Sequence, residues 1–138
     1  MCGKSEANSN RLPEDVARYV KALVEKLNPV AVVLFGSRAT GRAHIQSDYD
    51  LLVIAPNLPG DFWVRQDLVW EGKPFSVDVI AFTLSEVIER VLRGFVLDAL
   101  LQGVVLFGDI GELKARAEEH VERYGLTRTE AGYVRRPA

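Results

Sequence analysis

The sequence predicts an α/β (α+β) fold in which helices pack on one small mixed β-sheet. Helical stripes of apolar residues alternate along the chain with short β-prone runs, as expected when helices cover a sheet. The length of 138 residues, 48% of them hydrophobic, suits one domain with its own core. We therefore expect one sheet with its helices, and no linker between two bodies.

The first half of the chain predicts one helix and two strands. A helix is expected from Pro13, because proline suits the first helical position, and its apolar stripe ends before Asn28. The run 30–35 is β-prone at every position, which predicts a strand covered on both faces. A second strand is expected over 47–55.

The second half predicts further alternation of helices and strands. Thr83 and Glu86 have the spacing of a capping box, so a helix should begin at Leu84. The expected elements are a helix over 61–70, a strand over 75–82, helices over 84–93 and 95–102, a strand over 104–107 and a helix over 110–124. We expect a flexible leader over 1–12, the folded domain over 13–125 and a polar C-terminal tail over 126–138.

Composition and charge argue against several classes of protein. Seventeen Lys and Arg against 19 Asp and Glu give a net charge of −2, so a nucleic-acid partner is not expected. The one cysteine, Cys2, cannot form an intrachain disulfide or a cysteine-based metal site. The apolar runs are too short for a membrane span, and the first residues lack the apolar stretch of a secretory signal. A cytoplasmic protein is therefore expected.

A glycine–serine turn directly after the strand 30–35 is the first candidate site. Gly36 permits a sharp turn and lets a ligand approach the backbone amides. Ser37 offers a phosphate its hydroxyl and the N–H groups of a helix start, and Arg38 adds positive charge. The alternative is that Ser37 only caps a short helix.

Three aspartates form the second candidate site. Asp48 and Asp50 are two residues apart at the head of a strand, so both side chains are expected on one face. Asp78 lies within an apolar strand, where an ionised carboxylate is costly unless it is paired or bound to metal. Two alternatives stay open: Asp48 is an ordinary turn residue, and Asp78 pairs with an arginine or faces water from an edge strand.

The turn and the carboxylates together favour metal-assisted transfer at phosphorus. Oxygen ligands suit Mg²⁺, and two such ions can hold the attacking and leaving oxygens. The phosphate loop of P-loop NTPases is excluded, because Arg42 and Ala43 stand where that motif requires Lys and then Ser or Thr. A calcium loop is excluded because Leu52 occupies its third ligand position.

The spacing of these residues resembles a known signature. Gly36 and Ser37, ten intervening residues, and then Asp48 and Asp50 resemble the G-S-x10-D-x-D signature of the DNA polymerase β-like nucleotidyltransferase superfamily. Asp78 falls where that superfamily places its third carboxylate. The likeness covers about residues 13–108 and is strongest to the minimal nucleotidyltransferases, which contain little more than the catalytic core.

The resemblance implies a role for each matching residue. Gly36 and Ser37 would bind the triphosphate of a nucleotide, with Arg38 as a further phosphate contact. Asp48 and Asp50 would hold the metal ions, expected to be two Mg²⁺. Asp78 would complete one metal site and help activate the attacking hydroxyl.

The resemblance also implies a partner. Minimal nucleotidyltransferases are often encoded beside a small helical HEPN-family protein, and in characterised toxin–antitoxin pairs they add AMP from ATP to a tyrosine of the toxin. The chain is therefore expected to be an antitoxin that modifies its partner. The alternatives are a nucleotide-binding antitoxin that acts by contact alone, or transfer to a small molecule or RNA. The intact Gly36, Ser37 and three aspartates favour an enzyme.

A catalytic core of this size is expected to need a partner protein to complete its site. Positioning the attacking hydroxyl supplies much of the rate of such transfers, so a helical partner or a second copy of the chain should complete the site. The expected docking surfaces are the aromatic stretch 62–70 and the segment around Tyr133 and Val134. The alternative is that Trp63 and Trp70 belong to the core.

Overall fold

The elements of the fold follow the alternation that the sequence predicts. The computed structural model describes residues 12–40, 48–90, 94–129 and 132–135. The elements are α1 (Glu14–Leu27), β1 (Ala31–Phe35), α2 (Ser37–Thr40), β2 (Tyr49–Ile54), α3 (Phe62–Trp70), β3 (Val77–Phe82), α4 (Leu84–Arg90), α5 (Gly94–Gln102), β4 (Val104–Gly108), α6 (Gly111–Tyr124), β5 (Leu126–Thr129) and β6 (Gly132–Arg135). The expected mixed α/β class is confirmed.

Four strands form the main sheet in the order β3-β2-β1-β4. β1 is antiparallel to both β2 and β4, whereas β2 and β3 are parallel. A parallel pair needs a crossover connection, and α3 supplies it. The sheet is therefore mixed, and β3 forms one of its edges.

Helices cover both faces of the sheet. Val32 and Leu34 of β1 pack in one buried cluster that includes residues of α1 and α3. Val33, one position along, belongs to a second cluster with residues of α4, α5 and α6. Since successive side chains of a strand point to opposite faces, β1 is buried on both sides, as its apolar run predicts.

Side chains close the outer edge of β3. Three of them, from α3 and the turn after it, donate hydrogen bonds to alternate backbone carbonyls of this strand. The pairs are Arg65 Nη1 to Ala81 O at 3.2 Å, Trp70 Nε1 to Val79 O at 3.3 Å and Lys73 Nζ to Val77 O at 2.7 Å. These bonds satisfy carbonyl groups that would otherwise be available for pairing with another strand.

An ion pair fixes α3 to the start of α4. Arg65 is only 9% exposed, and its Nη1 lies 2.8 Å from Glu86 Oε1. The Glu86 carboxylate also accepts a hydrogen bond from the Thr83 backbone N–H at 2.8 Å, and the Glu86 backbone N–H donates to Thr83 Oγ1 at 3.3 Å. The expected capping box is therefore present. These contacts lower the pKa of Glu86, and the hydrogen bond from Arg65 has the largest effect.

The C-terminal segment differs from expectation. We expected a polar tail over 126–138, but β5 and β6 pair as an antiparallel hairpin. Polar contacts with α5 hold it: Arg128 Nε lies 2.9 Å from Asp98 Oδ1, and Gln102 Nε2 donates to Tyr133 Oη at 3.1 Å. These contacts join residues about thirty positions apart, so no local apolar pattern marks them.

Some expected features fall outside the part of the chain that the structure describes. Residues 1–11 of the leader, residues 41–47 and residues 91–93 at the expected end of α4 are among them. Within the described ranges, no helix combines the length and the apolar character needed to span a bilayer.

Candidate active site

The glycine turn brings the chain from β1 against a carboxylate of β2. Gly36 has φ of +79°, a left-handed conformation that glycine adopts with little strain. A Cβ at this position would also overlap the Oδ2 atom of Asp50. Ser37 then begins the short helix α2, as the sequence predicts. Glycine is therefore required at position 36 for both conformation and space.

Strand pairing brings two of the three aspartates together. Asp50 and Asp78 are register partners on the parallel strands β2 and β3. Neighbouring strands lie about 4.8 Å apart, so partners on one face have adjacent side chains. Asp50 is half-buried and Asp78 is exposed. Asp48 precedes β2 and is exposed, because the strand begins at Tyr49 rather than at the expected position 47.

The carboxylates interact electrostatically. Burial, followed by the charges of Asp78 and then Asp48, raises the pKa of Asp50 from 3.8 to about 6. Both neighbouring aspartates thus add to the effect of burial in disfavouring ionisation of Asp50. A bound cation would relieve this repulsion.

Asp50 and Asp78 offer the oxygen ligands that Mg²⁺ prefers. Within the described ranges, no three His, Cys, Asp or Glu side chains form a ready metal cage. Mg²⁺ seldom uses an all-protein cage, because it keeps several waters and takes one or two carboxylates together with substrate phosphates. Asp50 and Asp78 supply two such carboxylates, with Asp48 beside them, so the donor set matches the ion.

Two cavities meet at this site. The first, here called the aromatic pocket, has a volume of about 430 Å³. Its lining residues are Phe35, Asp50, Leu51, Phe62, Gln66, Trp70, Asp78, Val79, Ile80 and Phe95. This pocket therefore contains the paired carboxylates, set in a largely apolar wall.

The second cavity, here called the polar pocket, has a volume of about 420 Å³. Its lining residues are Phe35, Gly36, Ser37, Gly94, Phe95, Asp98, Arg128, Thr129, Gly132 and Tyr133. Phe35 and Phe95 line both pockets, and their rings stack with centroids 5.5 Å apart. The glycine–serine turn and the carboxylates therefore face adjoining cavities that share an aromatic wall.

Arg38 and the tryptophans occupy places that the sequence did not settle. The Arg38 guanidinium lies 4.4 Å from the centroid of the Tyr49 ring, a cation–π contact. Trp63 is 70% exposed and Trp70 is 43% exposed, so the alternative that places both in the core is wrong. Tyr133 is half-buried and lines the polar pocket, and Val134 is exposed.

Two residues of the site were missed from the sequence. Gln66 lines the aromatic pocket and Arg128 lines the polar pocket. Gln66 sits within a helix, and Arg128 sits in the segment that we expected to be a tail. A polar residue on the buried side of α3 is the one signal that would have pointed to Gln66.

The architecture of this sheet and its helices is that of a nucleotidyltransferase domain. A family model described as nucleotidyltransferase domain matches residues 16–102, and the chain belongs to that family. The resemblance noted in the sequence is thereby confirmed. The sequence has no significant match among curated proteins.

Solved structures share the fold. A protein from Sulfolobus solfataricus described as a nucleotidyltransferase is 20% identical, with a TM-score of 0.55 over 78% of this chain and 90% of that one. A toxin–antitoxin structure with AMP-PNP is 22% identical, with a TM-score of 0.52, and the match covers 82% of this chain and 88% of that one. A variant of the toxin–antitoxin MntA-HpeT is 23% identical, with a TM-score of 0.53, and the match covers 83% of this chain and 88% of that one.

Proposed function

We propose that this chain transfers AMP from ATP to a partner protein in a Mg²⁺-dependent reaction, as the antitoxin of a toxin–antitoxin pair. The observation that carries the proposal is the register pairing of Asp50 with Asp78 beside the Gly36 turn. Family membership supports nucleotidyl transfer, and this pairing supplies the chemical groups that such a transfer needs.

Each part of the site has a role under this proposal. Gly36 and Ser37 bind the triphosphate in the polar pocket, and Arg38 contributes charge from its place over Tyr49. Arg128 also lines this pocket, where its Nε pairs with Asp98, so its remaining guanidinium donors are the ones proposed to contact phosphate. Guanidinium groups suit phosphate because their donors match its oxygens in pairs. The leaving pyrophosphate would therefore lie on the polar-pocket side of the carboxylates.

The aspartates hold the metal and the proton. Asp48, Asp50 and Asp78 would bind Mg²⁺, expected as two ions, which when bound neutralise charge that develops on the phosphate oxygens. Asp78 accepts the proton of the attacking hydroxyl at its carboxylate, because it is exposed on the edge strand β3 and lines the aromatic pocket. The hydroxyl oxygen bonds to the α-phosphorus as the bond from that phosphorus to pyrophosphate breaks.

The identity of the partner rests on two further supports. Structures with the same fold include toxin–antitoxin structures, and one of them is described with AMP-PNP. Phe62, which lines the aromatic pocket, and Trp63, whose ring contacts it, are 56% and 70% exposed, and exposed aromatic side chains often anchor protein interfaces. We therefore propose a small helical HEPN-family protein as the acceptor.

The test is transfer of labelled nucleotide to the co-expressed partner. The purified chain is mixed with the product of the neighbouring gene, Mg²⁺ and ATP labelled at the α-phosphate. We expect the label on the partner, with mass spectrometry finding one or more added AMP groups. Omitting Mg²⁺ or replacing Asp50 or Asp78 by asparagine should reduce the rate at least a hundredfold.

Glu118→Gln is the matched control for these variants. Glu118 is exposed on α6, outside the carboxylate cluster and both expected docking surfaces, so the same carboxylate-to-amide change there should leave the rate unaltered. If Asp50→Asn and Asp78→Asn transferred label at the wild-type rate, the chemistry would lie elsewhere. If the chain neutralised its partner without any transfer, the contact-only alternative would replace this proposal.

A further inference from the structure

The glycine–serine turn continues into a helix that is too short to be stable on its own. α2 has four residues, Ser37–Thr40, which is about one helical turn. An isolated helix of fewer than about 12–15 residues is marginal in water, so contacts with the rest of the fold must keep α2 in place. The Ala39 backbone N–H donates to Gly36 O at 3.1 Å and closes the turn. The conformation of the turn therefore depends on what α2 packs against.

Ala39 and Arg38 connect α2 to the rest of the fold. Ala39 packs against the buried cluster that includes residues of α1 and α3. The Arg38 guanidinium lies over the ring of Tyr49, 4.4 Å from its centroid. Tyr49 is the first residue of β2 and packs against the same cluster, and its backbone N–H donates to Ser76 O at 2.8 Å. Tyr49 is therefore a fixed platform for the Arg38 side chain.

This cation–π contact lies behind the candidate site rather than inside it. Successive side chains of β2 point to opposite faces, so the side chains of Tyr49 and Asp50 face away from each other. Arg38 and Tyr49 are not among the described residues that line the aromatic pocket or the polar pocket. Their chain neighbours are: Ser37 lines the polar pocket, and Asp50 lines the aromatic pocket. The contact therefore joins the segment that would bind phosphate to the strand that would bind metal.

We propose that Tyr49 is a positioning residue, whose ring holds Arg38 and thereby keeps α2 and Ser37 in the conformation that binds the phosphates of a nucleotide. This inference rests on the proposed function for the identity of the ligand. A protein whose binding-competent conformation is only partly populated has its affinity reduced by the populated fraction. Removing the ring should therefore weaken nucleotide binding, although the ring lines neither pocket.

Binding of a nonhydrolysable ATP analogue with Mg²⁺ tests the proposal without any transfer. Tyr49→Leu keeps an apolar side chain on the cluster and removes the ring. Its dissociation constant, measured by calorimetry, should rise about twofold to thirtyfold, the range of one cation–π contact. Tyr49→Phe keeps the ring and should bind as the wild type does. Tyr124→Leu is the matched control, because Tyr124 is 45% exposed on α6 and lines neither pocket.

A double-mutant cycle tests whether Tyr49 acts through Arg38. Arg38→Gln alone should weaken binding of the analogue at least as much as Tyr49→Leu does, since it removes the guanidinium and its charge. In the double variant the change at Tyr49 should add little, because the ring then has no guanidinium to hold. Additive effects of the two changes would mean that Tyr49 acts only by its own packing, and they would overturn the proposal.

Hydrogen exchange in the ligand-free protein provides a second measurement. The Ala39 amide reports on α2, because it donates to Gly36 O. It should exchange about twofold to thirtyfold faster in Tyr49→Leu and in Arg38→Gln, while the amides of α6 exchange as in the wild type. Arg38→Gln leaves β2 unchanged in sequence, so it provides this test even if Tyr49→Leu does not fold. Wild-type exchange of the Ala39 amide in Arg38→Gln would overturn the proposal.

The outcomes separate this inference from the proposed function. Equal affinity of Tyr49→Leu and the wild type, or equal weakening by Tyr49→Leu and Tyr49→Phe, would overturn the positioning role. Weakening by Tyr49→Leu alone, coupled to Arg38, in a chain that transfers no AMP would retain the positioning role and reject the proposed function. A wild-type chain that binds no ATP analogue would reject both.

Discussion

Replacing Asp50 by asparagine should stabilise the metal-free protein at neutral pH. The folded-state pKa of about 6 lies above the ordinary value of 3.8, so the native state favours the protonated carboxyl. Wild-type stability should therefore fall as the pH rises from about 4 through 6, and the loss is complete above that range. The full difference corresponds to about 3 kcal/mol. Because Asp50 is only half-buried, solvent screening reduces the expected gain to about 1–2 kcal/mol.

The assay is urea unfolding in EDTA at several pH values. The free energy of unfolding of Asp50→Asn should exceed that of the wild type by about 1–2 kcal/mol at about pH 7.5. The two free energies should become equal near pH 4, where the wild-type carboxyl is protonated. Asp67→Asn, an exposed carboxylate on α3, should track the wild type throughout. Adding Mg²⁺ with a nonhydrolysable ATP analogue should then stabilise the wild type more than Asp50→Asn.

One result would refute the electrostatic reasoning. If Asp50→Asn were no more stable than the wild type at pH 7.5 and the difference did not change with pH, neither burial nor the charges of Asp78 and Asp48 would disfavour ionisation of Asp50. The proposed shared metal site would then rest on the register pairing of Asp50 with Asp78 alone.

Three other changes test separate parts of the structure. Gly36→Ala should reduce transfer at least a hundredfold in the labelled-ATP assay, because its methyl group overlaps the Asp50 carboxylate; a near-normal rate would show that the turn can relax. Arg128→Gln should weaken binding of an ATP analogue about tenfold in a calorimetric titration, whereas Asp98→Asn, which breaks the same ion pair but keeps the guanidinium, should not; equal effects of the two changes, or unchanged binding by Arg128→Gln, would remove Arg128 from the nucleotide site. Glu86→Gln should lower the free energy of unfolding by about 1–3 kcal/mol at pH 7, since Arg65 keeps its burial and loses its partner. The lowered pKa of Glu86 means that this difference should shrink as the pH falls below the ordinary glutamate value of 4.5, and a pH-independent difference would contradict the ion pair.

The sequence predicted those parts of the fold that depend on local pattern. The run at β1, the stripe of α1 and the capping box of Thr83 and Glu86 depend on residues a few positions apart, and the structure contains all three. The pairing of β5 with β6 was missed because side chains of α5, about thirty positions away along the chain, hold these strands.

The candidate site likewise contains some residues that the local sequence predicts and others that only the tertiary structure brings in. Gly36 and Asp50 stand next to apolar strands, so their place at a strand end follows from the sequence alone. The pairing of Asp78 with Asp50 depends on the parallel register of two strands that α3 joins, and only the topology provides it. Gln66 and Arg128 carry no local motif, because each matters through the cavity that other elements build around it.

The closed edge of β3 has a consequence for how the chain is made. Ribosomes synthesise proteins from the N-terminus, so Arg65, Trp70 and Lys73 emerge before the strand whose carbonyls they bind. A partly synthesised chain therefore already carries the groups that cover this edge when β3 leaves the exit tunnel. Two nascent chains on one messenger RNA would have little opportunity to join through β3, which limits co-translational aggregation at this edge.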